Sequence, residues 1–308
     1  MAAEGWVVVF SREGRIKRMP LEAFGMQHRG GKGITGARPG GGDVVDKLGL
    51  VGAGEDLLAF TTGGRVVSIP ADKVPEMSRY AQGAPVAQVF PLEEGEKVSA
   101  LLGRGPGPEA AFLCLATVKG VIKRTEAAPL ARLRSSGVRV ITLESGDEVR
   151  SVALSSGEGQ ILLATRRGKA VRFSEEEVRV SGRDARGVSG VRLEDGDTVV
   201  SLSLVDEASM VLTVTELGFG KRTRADDYRK TARGTGGVTN IGDPDKVGPV
   251  VAAFTVGQAD HVILASEQGK LVRVPVGEVR ETGRSASGVR VMRVDDGDRV
   301  TAVAPVAG

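Results

Sequence analysis

The chain has 308 residues, of which 41% are hydrophobic and 26% charged, with a formal net charge of +3 and a sequence pI of about 9.1. This composition excludes a disordered chain and predicts a globular one. One cysteine, two histidines and no long apolar run exclude a disulfide framework, a histidine-rich metal site and a membrane span, so we expect a cytoplasmic protein without catalytic residues, metal or cofactor.

Six copies of one short pattern run along the chain. In each copy an apolar run is followed by Ser or Thr, two residues and Gly, as in VVVFSREG and LLAFTTGG. The Ser or Thr positions are Ser11, Thr61, Thr117, Thr165, Thr215 and Ser266, at intervals of 50, 56, 48, 50 and 51 residues. Short β-branched runs that end in such tetrads predict antiparallel strands joined by hairpin turns. The single cysteine, Cys114, lies in the run of the third copy, and we interpret it as a core residue.

Two further marks keep the same register. A glycine follows the Ser or Thr by 22 residues in five copies and by 20 in the third; these are Gly33, Gly83, Gly137, Gly187, Gly237 and Gly288. A GDxV motif recurs with Asp43, Asp147, Asp197 and Asp298, and is altered to GEKV and GDPDKV in copies two and five. We expect the aspartates to cap the backbone of a turn, because a turn residue recurs in a fixed structural position.

Six repeated units of about four strands predict an all-β, six-bladed radial fold. The whole chain, 1–308, would form one domain. The expected blades are approximately 5–55, 56–109, 110–158, 159–208, 209–260 and 261–308. Because one blade cannot bury both of its faces, neighbouring blades must stack and the ring must close.

Basic residues follow most of the hairpin turns. If these turns face the rim, the side chains form a curved cationic track for double-stranded DNA. The predicted track consists of Arg15, Lys17, Arg18, Lys119, Lys123, Arg124, Arg166, Arg167, Lys169, Arg172, Lys221, Arg222, Arg224, Lys270 and Arg273. Copy two has only Arg65 there, followed by three glutamates at 93, 94 and 96, so blade two should contribute least. No array of aromatic, Asn or Gln residues is placed to read bases, which predicts sequence-independent binding.

A glycine-rich stretch, GMQHRGGKG, lies within the first copy. GKGITG matches a dinucleotide fingerprint, but Pro39 and the glycines after it exclude the helix which that site requires. A phosphate-binding Walker loop is excluded because Lys32 is followed by Gly33. Free backbone amides together with Arg29, Lys32 and His28 suit an extended polyanion instead.

The stretch QHRGGKG resembles the seven-residue box of the C-terminal domain of the bacterial DNA gyrase A subunit, usually QRRGGKG. The corresponding residues are Gln27, His28, Arg29, Gly30, Gly31, Lys32 and Gly33, and only His28 departs from the family pattern. The resemblance extends over the six repeats. It implies a six-bladed β-pinwheel with DNA wrapped around a positively charged rim, and a box in the first blade that helps to close the ring.

The resemblance also implies partners. In that family, wrapped DNA is presented to the gyrase A breakage-reunion domain, and the ATPase B subunit drives strand passage that produces negative supercoils. Neither Tyr80 nor Tyr228 has surroundings that resemble those of the cleavage tyrosine. We therefore expect this chain to cleave nothing by itself and to be monomeric in isolation.

Alternative interpretations remain open at the level of sequence. A topoisomerase IV C-terminal domain is the nearest, although its box is usually degraded. A free-standing DNA-wrapping protein is a second. A protein-interaction propeller of the kelch or RCC1-like type belongs to another class, but kelch blades need Tyr and Trp in every copy, and this chain has one Trp and two Tyr. A sialidase-like enzyme would need acid and nucleophile residues that we do not locate.

Overall fold

The computed structural model describes residues 5–35, 42–103, 110–133 and 136–308. Gly36 and Pro39, used above to test the dinucleotide fingerprint, and the predicted end of the second blade at residue 109 lie outside these ranges. Within the described residues, strands account for nearly all regular structure. None of the helices there is long and apolar enough to cross a membrane.

Each repeat supplies two strands joined by a hairpin, then a two-residue strand, then a longer closing strand. Repeats one to three contain β1 (Gly5–Ser11), β2 (Arg15–Pro20), β3 (Ile34–Thr35), β4 (Val45–Gly52), β5 (Asp56–Thr61), β6 (Arg65–Pro70), β7 (Ala84–Pro85), β8 (Val98–Gly103), β9 (Phe112–Thr117), β10 (Val121–Glu126), β11 (Val138–Arg139) and β12 (Val149–Ser155). Repeats four to six contain β13 (Gln160–Thr165), β14 (Lys169–Ser174), β15 (Val188–Ser189), β16 (Val199–Val205), β17 (Met210–Thr215), β18 (Phe219–Arg224), β19 (Val238–Thr239), β20 (Val250–Val256), β21 (His261–Ser266), β22 (Lys270–Pro275), β23 (Val289–Arg290) and β24 (Val300–Val306).

In the ranges that the structure describes, helical structure is confined to short turns. One four-residue α-helix, α1 (Pro244–Val247), replaces the GDxV turn of the fifth repeat. Single 3₁₀ turns lie at Leu21–Ala23, Ala71–Lys73, Val86–Gln88, Ala128–Arg132, Glu175–Glu177, Ala225–Asp227 and Val276–Glu278. Most of them follow the second strand of a repeat, where the chain leaves the sheet.

The recurring sequence marks have a common structural explanation. The tetrad glycine of the first hairpin, Gly14, has φ +84°, and its amide donates to the carbonyl of Ser11 at 3.0 Å. The Asp43 Oδ1 atom accepts hydrogen bonds from the amides of Glu13 (3.0 Å) and Val44 (2.8 Å). Asp147, Asp197 and Asp298 accept the equivalent pairs of bonds. The prediction that these aspartates cap turns is confirmed, because each ties a hairpin to the start of the closing strand.

Six four-stranded antiparallel sheets form the blades. From the axis outwards their strand orders are β4-β1-β2-β7, β8-β5-β6-β11, β12-β9-β10-β15, β16-β13-β14-β19, β20-β17-β18-β23 and β24-β21-β22-β3. The outermost strand of every sheet therefore comes from the next repeat. The predicted contiguous blade boundaries are wrong in this respect, since each blade combines three strands of one repeat with the short strand of its successor.

The ring is closed. Each closing strand contacts the closing strands of both neighbours, in the cyclic order β4, β8, β12, β16, β20, β24 and back to β4. Apolar side chains fill the space between adjacent blades, and one such cluster joins Val7 and Val9 of the first blade to Ile263 and Leu271 of the last. The predicted all-β, six-bladed pinwheel with about four strands per blade is confirmed. Since both faces of each blade are covered, the first strand of each repeat reads as a nearly continuous apolar run.

Candidate nucleic-acid interface

The glycine-rich box is the segment by which the first repeat docks on the last blade. The amide of Gln27 donates to the carbonyl of Arg273 at 2.9 Å, and that of Gly30 donates to the carbonyl of Val291 at 2.6 Å. In return, the Arg293 amide donates to the carbonyl of Gly31 at 3.0 Å. The next residues form β3, the outer strand of the last sheet. The box therefore lies across the seam where the ring closes.

The position of the box across the ring seam explains why it contains glutamine and glycine. The side-chain oxygen of Gln27 accepts the amide of Gly33 at 3.2 Å and closes the loop on itself. A Cβ atom at Gly31 would lie 2.5 Å from that oxygen. At Gly33, φ is +73° and a Cβ would lie 2.8 Å from the carbonyl oxygen of Leu271. Only glycine permits this approach to the neighbouring blade.

The charged residues of the box divide into two roles. His28 Nδ1 lies 2.7 Å from Glu278 Oε1, and the Arg29 amide donates to Glu278 Oε2 at 2.9 Å. These hydrogen bonds lower the pKa of Glu278, with the Arg29 amide as the largest contributor and His28 next. The side chains of Arg29 and Lys32 are exposed, so their charge is available to a ligand.

The box has an equivalent loop in every repeat, and an arginine recurs in it. The residue four positions before the second repeated glycine is an arginine in five copies and Leu133 in the third; the arginines are Arg29, Arg79, Arg183, Arg233 and Arg284. We call these five the outer-loop arginines. Each precedes the outermost strand of a sheet, so the set follows the circumference of the disc. We did not predict the last four, although their fixed spacing from the glycine was a signal in the sequence.

The outer-loop arginines differ in whether their guanidinium groups are exposed to solvent or bonded to other groups of the protein. Arg79 and Arg183 are exposed, and the guanidinium of Arg79 lies 4.9 Å from the ring centroid of the exposed Tyr80. Arg233 donates to the carbonyls of Glu177 and Ser189, at 3.1 and 2.9 Å. Exposed Arg139 and Arg290 on the outermost strands and Arg186 in an outer loop extend the same basic edge.

Three lysines of the predicted track are buried. Lys17 is 3% exposed, and Lys123 and Lys221 are fully buried. Their ammonium groups donate to loop carbonyls of the next repeat; those of Lys123 are Gly182, Arg183 and Ala185, at 2.7 to 3.1 Å. Burial lowers the pKa of Lys17 and Lys123 to about 8 and that of Lys221 to about 7. The prediction that these lysines face DNA is wrong, because they lie between blades.

In five of the six repeats an arginine follows the tetrad glycine by four residues, and Ser68 takes its place in the second. Arg124 and Arg222 are 8% and 9% exposed, and Arg172 is 7% exposed. Arg124 Nη1 lies 3.3 Å from Glu175 in the next repeat, and Arg222 Nε donates to the carbonyl of Val279 at 2.6 Å. Arg18 stacks on Trp6 at 4.2 Å, and Arg273 bonds His261 Nδ1 at 2.9 Å. Arg124 and Arg222 join neighbouring blades, as does Arg18, whose Nη1 donates to the Ala71 carbonyl at 3.1 Å, whereas the Arg273 contact lies within its own sheet. The prediction that these arginines face DNA is wrong for Arg124, Arg172 and Arg222, which are buried.

The remaining predicted cations lie in several places. Lys119, Arg167 and Arg224 are exposed, but Lys119 and Arg167 belong to hairpin turns at one face of the disc rather than to its outer edge. Arg166 pairs with Glu216 at 2.6 Å beside the axial cavity. Two of the half-exposed members use their charge internally, since Arg15 donates to the Gly83 carbonyl and Lys270 pairs with Asp295. The third, Lys169, bonds the Thr165 hydroxyl only through its backbone amide. The condition on which the predicted track rested, that the hairpin turns face the rim, is therefore not met by Lys119, Arg166 and Arg167.

In the second repeat the arginine that follows the turn forms ion pairs with two glutamates. Arg65 is 8% exposed, and its Nη1 lies 2.6 Å from Glu96 Oε2 and 3.1 Å from Glu93 Oε1. Glu96 occupies the place of the capping aspartate and accepts the Thr61 hydroxyl at 2.8 Å. The glutamates noted in the sequence thus complete a turn and hold Arg65 away from solvent.

Two residues considered for covalent chemistry are inaccessible. Tyr228 is fully buried, its hydroxyl donates to Asn240 at 2.6 Å, and burial raises its pKa to about 12. Cys114 is fully buried, and burial raises its pKa to about 12 as well. The interpretation of Cys114 as a core residue is confirmed.

The repeats match a known family model. The model of the DNA gyrase C-terminal domain, a β-propeller, matches six segments that correspond to the six repeats: 5–46, 55–102, 111–156, 159–206, 209–256 and 260–307. Curated relatives include the DNA gyrase A subunits of Klebsiella oxytoca, 37% identical over 304 residues, and of Halalkalibacterium halodurans, 42% identical over 300 residues. The matched regions cover 99% and 97% of this chain but only 35% and 36% of those proteins.

Solved structures agree with the family match. A DNA gyrase A C-terminal domain superimposes with a TM-score of 0.87 at 27% identity and covers 98% of this chain and 100% of that one. A topoisomerase IV C-terminal domain shares the fold, with a TM-score of 0.70 at 23% identity over 100% of this chain and 94% of that one. The repeats, the box at the ring seam and these matches show that the chain belongs to the family of DNA gyrase A C-terminal domains.

Proposed function

We propose that this domain binds double-stranded DNA along its outer edge and wraps it without reading its sequence. The observation that carries the proposal is the recurrence of the outer-loop arginines at one structural position around a closed disc. A closed ring with an arginine at this position in five of its six repeats presents a recurring positive charge along its circumference. Backbone phosphates, which are equally regular, are the ligand that such a surface fits.

The free-energy cost of bending DNA favours contacts that are spread over many residues of the outer edge. Bending a 20–30 bp site by 40–90° costs roughly 1–6 kcal/mol, which no single exposed arginine can supply. Duplex DNA carries about one charge per 1.7 Å of axis, and each neutralised phosphate releases counterions. Five outer-loop arginines, with Lys32, Arg139, Arg186 and Arg290 beside them, allow the bending cost to be shared along the path.

The proposed role belongs to a larger enzyme. We infer that the domain supplies the wrapping step of DNA gyrase, presenting DNA to the gyrase A breakage-reunion domain while the ATPase B subunit drives strand passage. The domain itself would perform no bond cleavage. The family match supports this division of labour, since the matched regions make up only 35% and 36% of the gyrase A subunits.

The test compares how much the charges of the outer edge and those of the hairpin turns contribute to DNA affinity. Arg79→Glu with Arg183→Glu reverses two exposed outer-loop charges, and Lys119→Glu with Arg167→Glu reverses two exposed turn charges as a matched control. Affinity for a linear duplex should fall much more in the first pair. Its slope of log affinity against log salt concentration should also become shallower by about 0.9 for each phosphate that the variant no longer neutralises.

Wrapping is measured separately from binding. Nicked plasmid is sealed by ligase in the presence of the chain, and the linking number of the products is determined on gels. The wild-type chain should shift the linking number in one direction, and the outer-loop pair should lose that shift. Equal loss of affinity in both pairs, or salt-insensitive binding with no linking-number change, would contradict the proposed function.

A further inference from the structure

An axial cavity lies at the centre of the disc. It has a volume of about 250 Å³ and is lined by the closing strands of all six sheets. At one mouth a second cavity of about 210 Å³ is lined by charged residues, and both cavities share Asp46, Arg150 and Thr301. This mouth lies at the hairpin turns, on the axis, whereas the outer-loop arginines lie on the circumference.

Charges at this mouth do not balance. Arg12, Arg150, Arg166 and Arg299 line it, together with the carboxylates of Asp46 and Glu216. Arg166 forms an ion pair with Glu216, and Asp46 forms one with Lys47. Arg299 donates two hydrogen bonds to the carboxylate of Glu267. These three pairs consume every carboxylate in the group. Two guanidinium groups, those of Arg12 and Arg150, are left to supply net positive charge.

The two surplus arginines are in different environments. Arg12 lies on an exposed turn, and its only ion pair among the described residues is a long one of 3.9 Å to Glu267, which Arg299 already engages. Arg150 is half-buried on β12 and makes no hydrogen bond or ion pair within the described part of the chain. An unpartnered guanidinium at the mouth of a cavity can donate charge-assisted hydrogen bonds to a bound anion.

We propose that this mouth is a binding site for a small doubly charged oxyanion of the phosphate class, with Arg150 as its principal ligand and Arg12 as the second. Two surplus positive charges match a dianion. The fork of the guanidinium donates two parallel hydrogen bonds to such an oxyanion. Drug-sized ligands occupy pockets of about 300–1,000 Å³, so a mouth of about 210 Å³ favours a small ion.

The position of the site gives it a structural consequence. Its two proposed ligands, Arg12 and Arg150, come from repeats one and three, so an anion bound to both joins two blades that are not neighbours in the ring. Anion binding should therefore stabilise the closed disc by mass action. The site is independent of the outer-edge DNA contact, because no outer-loop arginine lines the cavity.

The experiment titrates inorganic phosphate into the complete chain by calorimetry, at constant ionic strength made up with chloride. Arg150→Gln should weaken phosphate binding about tenfold or more, since it removes a charged hydrogen-bonding partner. Arg79→Gln is the matched control and should leave phosphate affinity unchanged. Phosphate should also raise the thermal midpoint of the wild-type chain and of Arg79→Gln, but not that of Arg150→Gln.

A second variant distinguishes loss of the phosphate site from misfolding of the Arg150→Gln chain. Arg12→Gln lies on an exposed turn and should reduce phosphate affinity while the thermal midpoint without phosphate stays at the wild-type value. Failure of the wild-type chain to bind phosphate, or equal weakening by Arg79→Gln and Arg150→Gln, would overturn the proposal. DNA affinity provides the distinction from the proposed function, because it should fall in Arg79→Gln and persist in Arg150→Gln.

Discussion

His28 of the first repeat and Glu278 of the last are joined at 2.7 Å across the seam where the ring closes. The same carboxylate accepts the Arg29 amide at 2.9 Å, so a single glutamate holds two consecutive residues of the box. The only box residue that departs from the family pattern thus lies at the ring closure. Here the imidazole acts as a hydrogen-bonding partner of the last blade.

The Glu278 contact should make ring closure sensitive to acid. The folded state lowers the pKa of Glu278, so its contribution to stability is present above the carboxyl's ordinary pKa of about 4.3 and is lost as pH falls through the lower, folded-state value. Urea unfolding should therefore show wild type more stable than Glu278→Gln at pH 7. That difference should shrink below about pH 4. A difference that stays constant with pH would show that the carboxylate charge does not matter at the seam.

Gly33→Ala should destabilise the closing seam. The residue has φ +73°, and an added Cβ would lie 2.8 Å from the Leu271 carbonyl, so strain of about 1–3 kcal/mol is expected. Gly25→Ala is the control, because its Cβ would have nothing within 4 Å and its φ lies outside the left-handed region. Denaturant unfolding measures the loss, and hydrogen exchange of β3 locates it. Equal stability of the two variants would argue against the close approach.

Lys123→Met should destabilise the fold although it removes a buried charge. The ammonium donates hydrogen bonds to the carbonyls of Gly182, Arg183 and Ala185, and to that of Val140 at 2.7 Å. Leaving those acceptors unpaired should lower the free energy of unfolding at pH 7 by about 1–3 kcal/mol. Lys119→Met, on an exposed turn, should cost far less.

The same lysine predicts a pH dependence. Because burial lowers the pKa of Lys123 to about 8, the folded chain releases a proton between about pH 8 and 10.5 that the unfolded chain retains. Stability of the wild-type chain should therefore rise with pH across that interval relative to Lys123→Met. A flat difference between the two proteins over this range would contradict the lowered pKa.

Two arginines at equivalent positions should respond oppositely to removal. Arg124→Met leaves Glu175, which is fully buried, without its cation and should cost about 3–5 kcal/mol. In Arg172, both Nε and Nη1 are buried without a hydrogen-bond partner. Arg172→Met should therefore leave the free energy of unfolding unchanged or raise it. Denaturant titrations compare the two variants, and equal destabilisation would disprove the assigned difference.

Local marks in the sequence predicted the fold well. The Ser or Thr, the tetrad glycine and the capping aspartate act within a few residues or across one hairpin, so their spacing was enough to define six repeats and their strands. The exchange of outer strands between repeats was not predicted. Nothing in a two-residue segment such as Ile34–Thr35 distinguishes pairing with its own sheet from pairing with β22 of another.

The sequence by itself determined the repeat number, the hairpins and the glycine-rich box, because turn chemistry and apolar runs are local properties. Only the tertiary structure decided which cations reach solvent. Both faces of every blade are covered by neighbours, so alternation along a strand cannot separate inside from outside. Lys123 became an interblade donor and Arg183 an outer-edge charge for that reason: the first lies under the next repeat's loop, and the second lies on that loop.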